Sequence, residues 1–350
     1  MAYTTIDKPT DYFNTKLYTG NGSAGHSITG IGHAPDLVWI KQRDSRDHFL
    51  FNSVVGATKY LASNLEQTEQ TDTNTMTAFG SDGFTLGNGV GCNENNDTHC
   101  SWNWKAGTSF TNDASSTGIG TIDSTGSVSD TSGFSIVSYT GSGTSATVKH
   151  GLSTAPQIVI VKNRGDARPW TVGSTAIGFD HILKLNEALA KENNDEMFGD
   201  TAPTSSVFTV NNSVFTNSSG HNYIAYCFAE KKGYSKFGSY TGNGQSGDSA
   251  PFIYTGFKPA FVIFKRSSGA QDWGLFDNKR SNYNPVDELI YPNYSNAESG
   301  DNANKFDFVS NGFKLRASGQ QMNQSGDTYI YMCFAESPFT TSTGIPTTAR

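Results

Sequence analysis

Charged side chains are scarce in this sequence. Lys, Arg, Asp and Glu make up 16% of its 350 residues, against about 25% in an ordinary soluble domain. The formal net charge is −7 and no run of like charge gathers what there is. The clustered Lys and Arg that displace counterions from a polyanion are therefore missing, which excludes nucleic acid as an expected partner. Cysteine is scarce too. Cys92, Cys100, Cys227 and Cys333 are too few and too scattered for a disulfide framework, and none falls in a CxxC pair of zinc-site spacing. Cys92 and Cys100 could close a loop; free thiols are the expectation. Apolar runs stop at five or six residues, as in Ala260-Phe261-Val262-Ile263-Phe264, where a membrane helix needs roughly 20, so no membrane insertion is expected. Residues Met1 to Lys8 show no basic stretch followed by an apolar one, which predicts no secretory signal and synthesis in a cytoplasm.

Glycine and aromatics are plentiful instead. There are 37 glycines, and Phe, Trp and Tyr reach 12%, a composition of many turns and half-buried strands. Self-similarity gives that composition its order. Tyr18-Thr19-Gly20-Asn21-Gly22 recurs as Tyr139-Thr140-Gly141-Ser142-Gly143 and as Tyr240-Thr241-Gly242-Asn243-Gly244. Fifteen residues after the first glycine in copies one and two, and seventeen in copy three, a proline opens an apolar strand that ends in lysine. These strands are Pro35 to Lys41, Pro156 to Lys162 and Pro259 to Lys265, and eight residues beyond each lysine stands an aromatic: Phe49, Trp170 and Trp273. A turn-led strand follows, with Phe84, Phe208 and Phe313 at its centre, and twenty or twenty-one residues later comes a last strand through Trp104, Phe228 and Phe334.

The predicted organisation is an arm at 1–11, a repeat at 12–107, a Ser/Thr/Gly-rich flexible or surface-laid linker at 108–132, repeats at 133–232 and 233–338, and a tail at 339–350. Segments of four to eight residues rich in Val, Ile, Tyr, Phe and Thr, bounded by Gly, Asn, Asp and Ser, read as strands. The predicted fold class is all-β: three tandem antiparallel β-sandwich modules of jelly-roll or lectin-like type, each about 100 residues. The proline-led strands should be covered on both faces, whereas Phe134 to Tyr139 alternates and should be wet on one. A helix is predicted from His181 to Glu192, where Ile182, Leu185 and Leu189 recur at helical spacing.

Motifs that could carry chemistry fail on context. Gly20-Asn21-Gly22-Ser23-Ala24-Gly25 and Gly242 to Gly247 match GxGxxG, but each leads to another strand rather than to a phosphate-binding helix, so a hairpin turn is expected. Lys41, Lys162 and Lys265 recur in every repeat, which argues for packed stems and ammonium groups paired to carboxylates, with Glu230 and Glu336 as expected partners in copies two and three. Trp170, Trp273, Phe84 and Phe313 share that repeat-structural role. The seven histidines are dispersed, no GxSxG elbow is present and no carboxylate pair stands in an apolar setting, so no catalytic residue, cofactor or metal site is predicted. Asn93-Glu94-Asn95-Asn96-Asp97 offers hard oxygen ligands but lacks the full calcium-loop pattern, and a solvated turn is expected. Outside the repeats, Tyr283, Tyr291, Tyr294 and Asn293 set aromatic faces beside amide groups, a combination suited to a glycan or a protein partner.

The Tyr-Thr-Gly-x-Gly runs, the proline-led strands ending in lysine, Ser310-Asn311-Gly312-Phe313-Lys314-Leu315, Tyr329 to Phe339 and the closing Gly344 to Arg350 resemble a family of repeat-containing virion proteins of marine tailed bacteriophages. The likeness runs over nearly the whole chain. It implies a structural component of the virion, of the kind described as tail-fibre proteins, and transfers no catalytic residue. Taken with the residues read above, the expectation is a non-enzymatic protein of the tail or fibre apparatus that is adhesive toward host-surface glycans, with an outer capsid decoration or head-fibre protein as the alternative. A carbohydrate-active enzyme on a lectin-like sandwich is the reading from a different class. The expected partners are other virion proteins and further copies of the chain, with a trimer expected for a fibre, and the arm and tail lying against neighbouring subunits.

Overall fold

Residues on both faces of each proline-led strand are apolar, so each strand needs a covering layer on either side. The computed structural model describes residues 2–300 and 303–347. In it, Leu37–Gln42, Ile158–Asn163 and Phe257–Arg266 lie inside three antiparallel main sheets. Each pairs on one side with a long strand, Thr98–Trp104, Asn222–Phe228 or Thr328–Pro338, and on the other with His48–Asn52, Thr171–Ser174 or Gly274–Asp277. The strands Phe13–Thr19, Phe134–Thr140 and Ser235–Thr241 complete the order on the far side of the long strands. Smaller sheets built around Gly83–Leu86, Val207–Val210 and Gly312–Leu315 lie apart from the main ones. The protein is all-β, with the same main-sheet order three times along the chain.

The period-two alternation of the strands divides the core. Val38 and Ile40 face a cluster with Phe84, Val159 and Val161 one with Phe208, and Val262 and Phe264 one with Phe313. The intervening residues, Leu37 and Trp39, Ile158, Phe261 and Ile263, all enter one common core with Trp102, Trp104, Trp170, Tyr226, Phe228, Trp273 and Phe334. An apolar gap of about 50 Å³ remains where the inner faces meet. The repeats are thus not beads in series: each contributes one wall to a shared interior, and each buried aromatic there contributes on the order of 1.5–3 kcal/mol.

Three equivalent joints close these walls into a ring. Trp170 Nε1 donates to the Ala62 carbonyl at 2.8 Å, and Trp273 Nε1 to the Lys184 carbonyl at 2.9 Å. His48 Nε2 lies 3.1 Å from the Tyr291 carbonyl. The first repeat thereby reaches the second, the second the third, and the third returns to the first. A backbone bond accompanies each joint: Glu69 N–H to Arg164, Lys191 N–H to Ser267, and Glu298 N–H to Arg43. Arg164 adds a two-pronged ion pair to Glu69, with Nε at 2.7 Å and the other nitrogen at 2.9 Å, and Arg43 pairs with Glu298.

Several expectations are corrected. Residues 108–132 are not a loose linker: Thr108–Asn112 and Ser124–Ser129 pair and extend the second main sheet, because Ser124–Ser129 finds an open edge at Phe134–Thr140. The strand expected to be wet on one face is covered on both, since Phe134 and Ile136 face the common core while Val137 and Tyr139 face the smaller one. The span His181 to Glu192 is not a helix. Gly178–Lys184 is a strand paired with Thr171–Ser174, so Ile182 and Leu183 serve opposite cores and Leu189 is exposed. Strand pairing overrode a helical period carried by only three residues. The Tyr-Thr-Gly-x-Gly turns are not hairpins; they carry the chain from a main sheet to its small partner sheet. The arm lies on its own chain, with Ile6 in the common core and Asp7 accepting from Ser342 N–H at 2.6 Å. Of the tail, 348–350 lie outside the described residues.

Candidate functional site

The three recurring lysines, expected to pair with carboxylates, are placed otherwise. Lys41, Lys162 and Lys265 are fully buried. Their ammonium groups meet backbone carbonyls rather than carboxylates: Lys41 at Gln42 (2.6 Å) and Ser45 (2.9 Å), Lys162 at Asn163 (3.0 Å) and Glu66 (3.1 Å), and Lys265 at Arg266 (2.6 Å). Burial pulls the three amines down, to about 8, 8 and 7. The carboxylates expected for them lie elsewhere, Glu230 on Lys236 and Glu336 on Lys258, since alternation turns each lysine inward at the end of its strand.

Trp170 and Trp273 are joint residues, but Phe49 is not their counterpart. Lys41 lies opposite His48 in the strand pair, so His48 holds the tryptophan position and Phe49 faces the other way. His48 Nδ1 accepts from Trp39 Nε1 at 2.8 Å, which leaves Nε2–H to donate toward the Tyr291 and Tyr294 carbonyls. Burial, then the nearby Lys41 charge, pulls this imidazole down to about 3.

Each glycine turn is clamped by one buried asparagine. Asn93, Asn217 and Asn323 accept from the backbone of Asn21, Ser142 and Asn243 at 2.9, 2.7 and 2.9 Å. A Cβ on Gly20, Gly141 or Gly242 would sit 2.0 to 2.3 Å from a backbone carbonyl oxygen, so this close approach demands glycine. Asn93 is therefore a clamp within its turn. All four cysteines are free and buried. Among the described residues no group of three or more His, Cys, Asp or Glu is placed to hold a metal, and no helix is long and apolar enough to cross a membrane.

The tyrosine-rich segment divides. Asn293 is buried and accepts from Trp273 N–H at 3.0 Å, as Asn186 does from Trp170 and Asn64 from His48, so it fixes a joint rather than facing a ligand. Tyr291 packs on the third repeat's core, with its ring centroid 6.4 Å from that of Tyr294. Tyr283, 80% exposed, lines a separate hollow with Lys279, Asn284 and Glu336.

A cleft that the sequence did not disclose opens where the third repeat meets the first. It holds about 660 Å³ and is lined by Phe49, Tyr60, Arg46, Asp47, Asp72, Asn74, Asn88 and Val90, with Ser295 across the joint. Phe49 and Tyr60 are half-buried, with ring centroids 4.8 Å apart. The Phe49 ring lies so close to the backbone that a Cβ on Gly91 would meet it at 2.3 Å. The polar rim is held in place: Asp47 accepts from Asn64 at 2.7 Å, Asp72 accepts from Asn74 N–H at 2.8 Å, and Arg46 pairs with Glu94 at 2.9 Å. Burial, then Asp72, pushes the Tyr60 phenol up. At the register position of Phe49 the other repeats carry Thr171 and Gly274, so the aromatic floor belongs to the first repeat. Fixed rings beside carboxylate, amide and guanidinium groups suit the apolar face and hydroxyl edge of a sugar.

Fold and cleft define an all-β protein of three repeated main sheets around a common core, with a polar, aromatic-floored cleft at one joint. The chain belongs to the family of a domain of unknown function, DUF7483, whose model matches residues 8–338. Neither a curated protein nor a solved structure matches it.

Proposed function

We propose that this chain is a non-enzymatic structural protein of a tailed-phage particle, belonging to the tail or fibre apparatus, and that it engages a host-surface glycan in the cleft floored by Phe49 and Tyr60. The cleft carries the binding half of this reading. The virion half rests on the family resemblance of the sequence motifs, and the closed ring suits it, since Lys41, Lys162, Lys265 and His48, side chains of kinds that can do chemistry, are buried in the fold. Purified polysaccharide from host cells, titrated against the protein, tests the binding half. Phe49→Ala and Tyr60→Ala are expected to weaken binding at least tenfold, while Tyr283→Ala leaves it unchanged; the reverse pattern overturns the assignment of the cleft. Antibody labelling of particles under the electron microscope tests the location, and label on the capsid would favour a decoration or head-fibre role.

One observation favours a second reading. Asp47 and Asp72 both line the cleft, and paired carboxylates are the machinery of glycoside hydrolysis. Prolonged incubation with the polysaccharide separates the two: unchanged chain length supports binding alone, whereas shortening that is lost in Asp47→Asn or Asp72→Asn would establish an enzyme.

A further inference from the structure

The segment after the first repeat and the segment after the third are copies of one another. Ala106, Phe110-Thr111 and Ser116-Thr117-Gly118-Ile119, then Thr121, correspond to Ala335, Phe339-Thr340 and Ser342-Thr343-Gly344-Ile345, then Thr347. Both fold into a tight turn with the glycine at positive φ, 66° at Gly118 and 86° at Gly344. Their surroundings differ. The first copy straps the outer edge of the second repeat. Thr121 N–H donates to the Thr147 carbonyl at 2.8 Å, Thr147 N–H returns to the Thr121 hydroxyl at 2.8 Å, and Ile122 bridges Val148 in parallel. Phe110 packs against that repeat's core, and its ring lies 2.7 Å from where a Cβ on Gly126 would be. Among the described residues the second copy straps no such edge: Thr347, the counterpart of Thr121, bonds back to Phe339 and Pro338 of its own segment, and Phe339 is 39% and Ile345 62% exposed.

The third repeat supplies an uncovered edge. Phe252–Tyr254 is the edge strand of its small sheet, bonded on one side to Gly312–Leu315 and, among the described residues, to no strand on the other. Phe252 and Tyr254 stand 47% and 57% exposed. At the same register positions the first repeat carries Ser27 and Thr29, and the strapped edge of the second carries Thr147 and Lys149. An exposed edge bearing aromatics is a template for a further strand. It is contiguous with the second strap: Tyr3 donates to the Gly256 carbonyl at 2.6 Å, and its ring centroid is 6.4 Å from that of Phe339.

We infer that this patch is a docking surface for a second copy of the chain, with the segment Phe339 to Thr347 of each protomer strapping the Phe252–Tyr254 edge of its partner. The strap and the edge lie side by side on one surface, so the contact is self-complementary and closes as a twofold dimer. The inference stands on the strap already seen within the chain and does not depend on glycan binding.

Sedimentation equilibrium of the full-length protein tests it. The expected result is a reversible dimer of twice 37.7 kDa. The double variant Phe252→Ser/Tyr254→Thr, which places first-repeat residues on the edge, and the variant Phe339→Ser/Ile345→Ser are each expected to weaken the dimer at least tenfold, with unchanged circular dichroism and thermal unfolding showing that both fold. A monomer at about 100 μM, or a dimer that persists in both folded variants, overturns the proposal.

Discussion

Replacing Asp277 by alanine is expected to be among the most damaging single changes in the molecule. Its carboxylate is fully buried and accepts four hydrogen bonds: from Arg280 Nε at 2.6 Å, Trp102 Nε1 at 3.0 Å, and the backbone N–H groups of Lys279 and Arg280 at 2.9 Å each. Arg280 is buried with it and reaches the Glu288 carbonyl at 2.7 Å and Glu298 at 3.4 Å. Burial works against the guanidinium charge, but Asp277 and the neighbouring anions outweigh it and push its proton affinity up. Removing one partner of a buried ion pair costs roughly 3–5 kcal/mol, because an uncompensated charge remains in the interior. Glu298 compensates in part, which places the expected loss near the lower bound, while the orphaned Trp102 N–H adds about 1 kcal/mol. The expected total is about 4 kcal/mol, read as a fall in the urea midpoint at unchanged slope by tryptophan fluorescence. Arg280→Met in the same background removes the stranded charge, so the double variant should recover about 2 kcal/mol of that loss. A loss below about 1 kcal/mol for Asp277→Ala, or strict additivity of the two changes, would refute this account of the joint.

The buried amines give a pH dependence of known sign. Lys265 has its amine lowered to about 7 in the fold against 10.5 unfolded, so the unfolded chain binds more protons between those values and stability rises with pH across roughly pH 7 to 10.5. Lys265→Met should flatten that rise, and urea midpoints across the interval check it. Gly141→Ala should cost several kcal/mol, since its Cβ would lie 2.3 Å from the Ser218 carbonyl oxygen, whereas Gly220→Ala, with nothing within 4 Å, should cost only about 1 kcal/mol from its left-handed backbone; thermal melts compare the two. Residues 12–107 expressed alone should fail to give a cooperative melt, because Leu37, Trp39, Trp102 and Trp104 would lose the walls that cover them.

The strands were legible in sequence because the apolar run from Leu37, Ile158 or Phe261 to the closing lysine is uninterrupted, and such runs carry both faces of a central strand. The partition of those faces was not. Nothing in Leu37 or Ile158 says that its side of the strand meets the other two repeats instead of a partner sheet of its own. The misplacement of Phe49 has a simple cause. The turn between Lys41 and the next strand holds one residue fewer than its counterparts after Lys162 and Lys265, and a one-residue slip moves a side chain to the opposite face. Counting eight residues from the lysine therefore reads the cleft floor as a joint aromatic. The asparagines that anchor the joints left a signal that could have been found, because Asn64, Asn186 and Asn293 each stand three residues after an apolar residue, Leu61, Leu183 or Ile290, that pairs with the neighbouring strand. The cleft left none, since its lining comes from separate turns and from Ser295 in another repeat.

Threefold repetition sharpens where function is to be sought. Positions that are equivalent around the ring answer the common requirement of closing it, and the lysines, the asparagine clamps and the glycine turns all fall in that class. Positions where one repeat departs answer something else, unless the departure is absorbed by packing. His48 in place of tryptophan and Asp277 in place of Asn52 and Ser174 are absorbed, since each finds buried partners. Phe49 with Tyr60, and Phe252 with Tyr254, are absorbed only in part: Phe49 and Tyr60 pack on the edge of the first repeat's core, yet all four keep aromatic surface in contact with water, which has a hydrophobic cost. Aromatic surface left in water at a position where the other repeats carry small or polar residues is where we propose contacts outside the fold, a sugar in the first case and a second protomer in the second. Transplanting Thr171 and Gly274 logic onto the first repeat, as Phe49→Thr, should therefore leave the urea midpoint within about 1 kcal/mol of the parent while abolishing polysaccharide binding. A variant that unfolds instead would show Phe49 to be a core residue and return the cleft to packing.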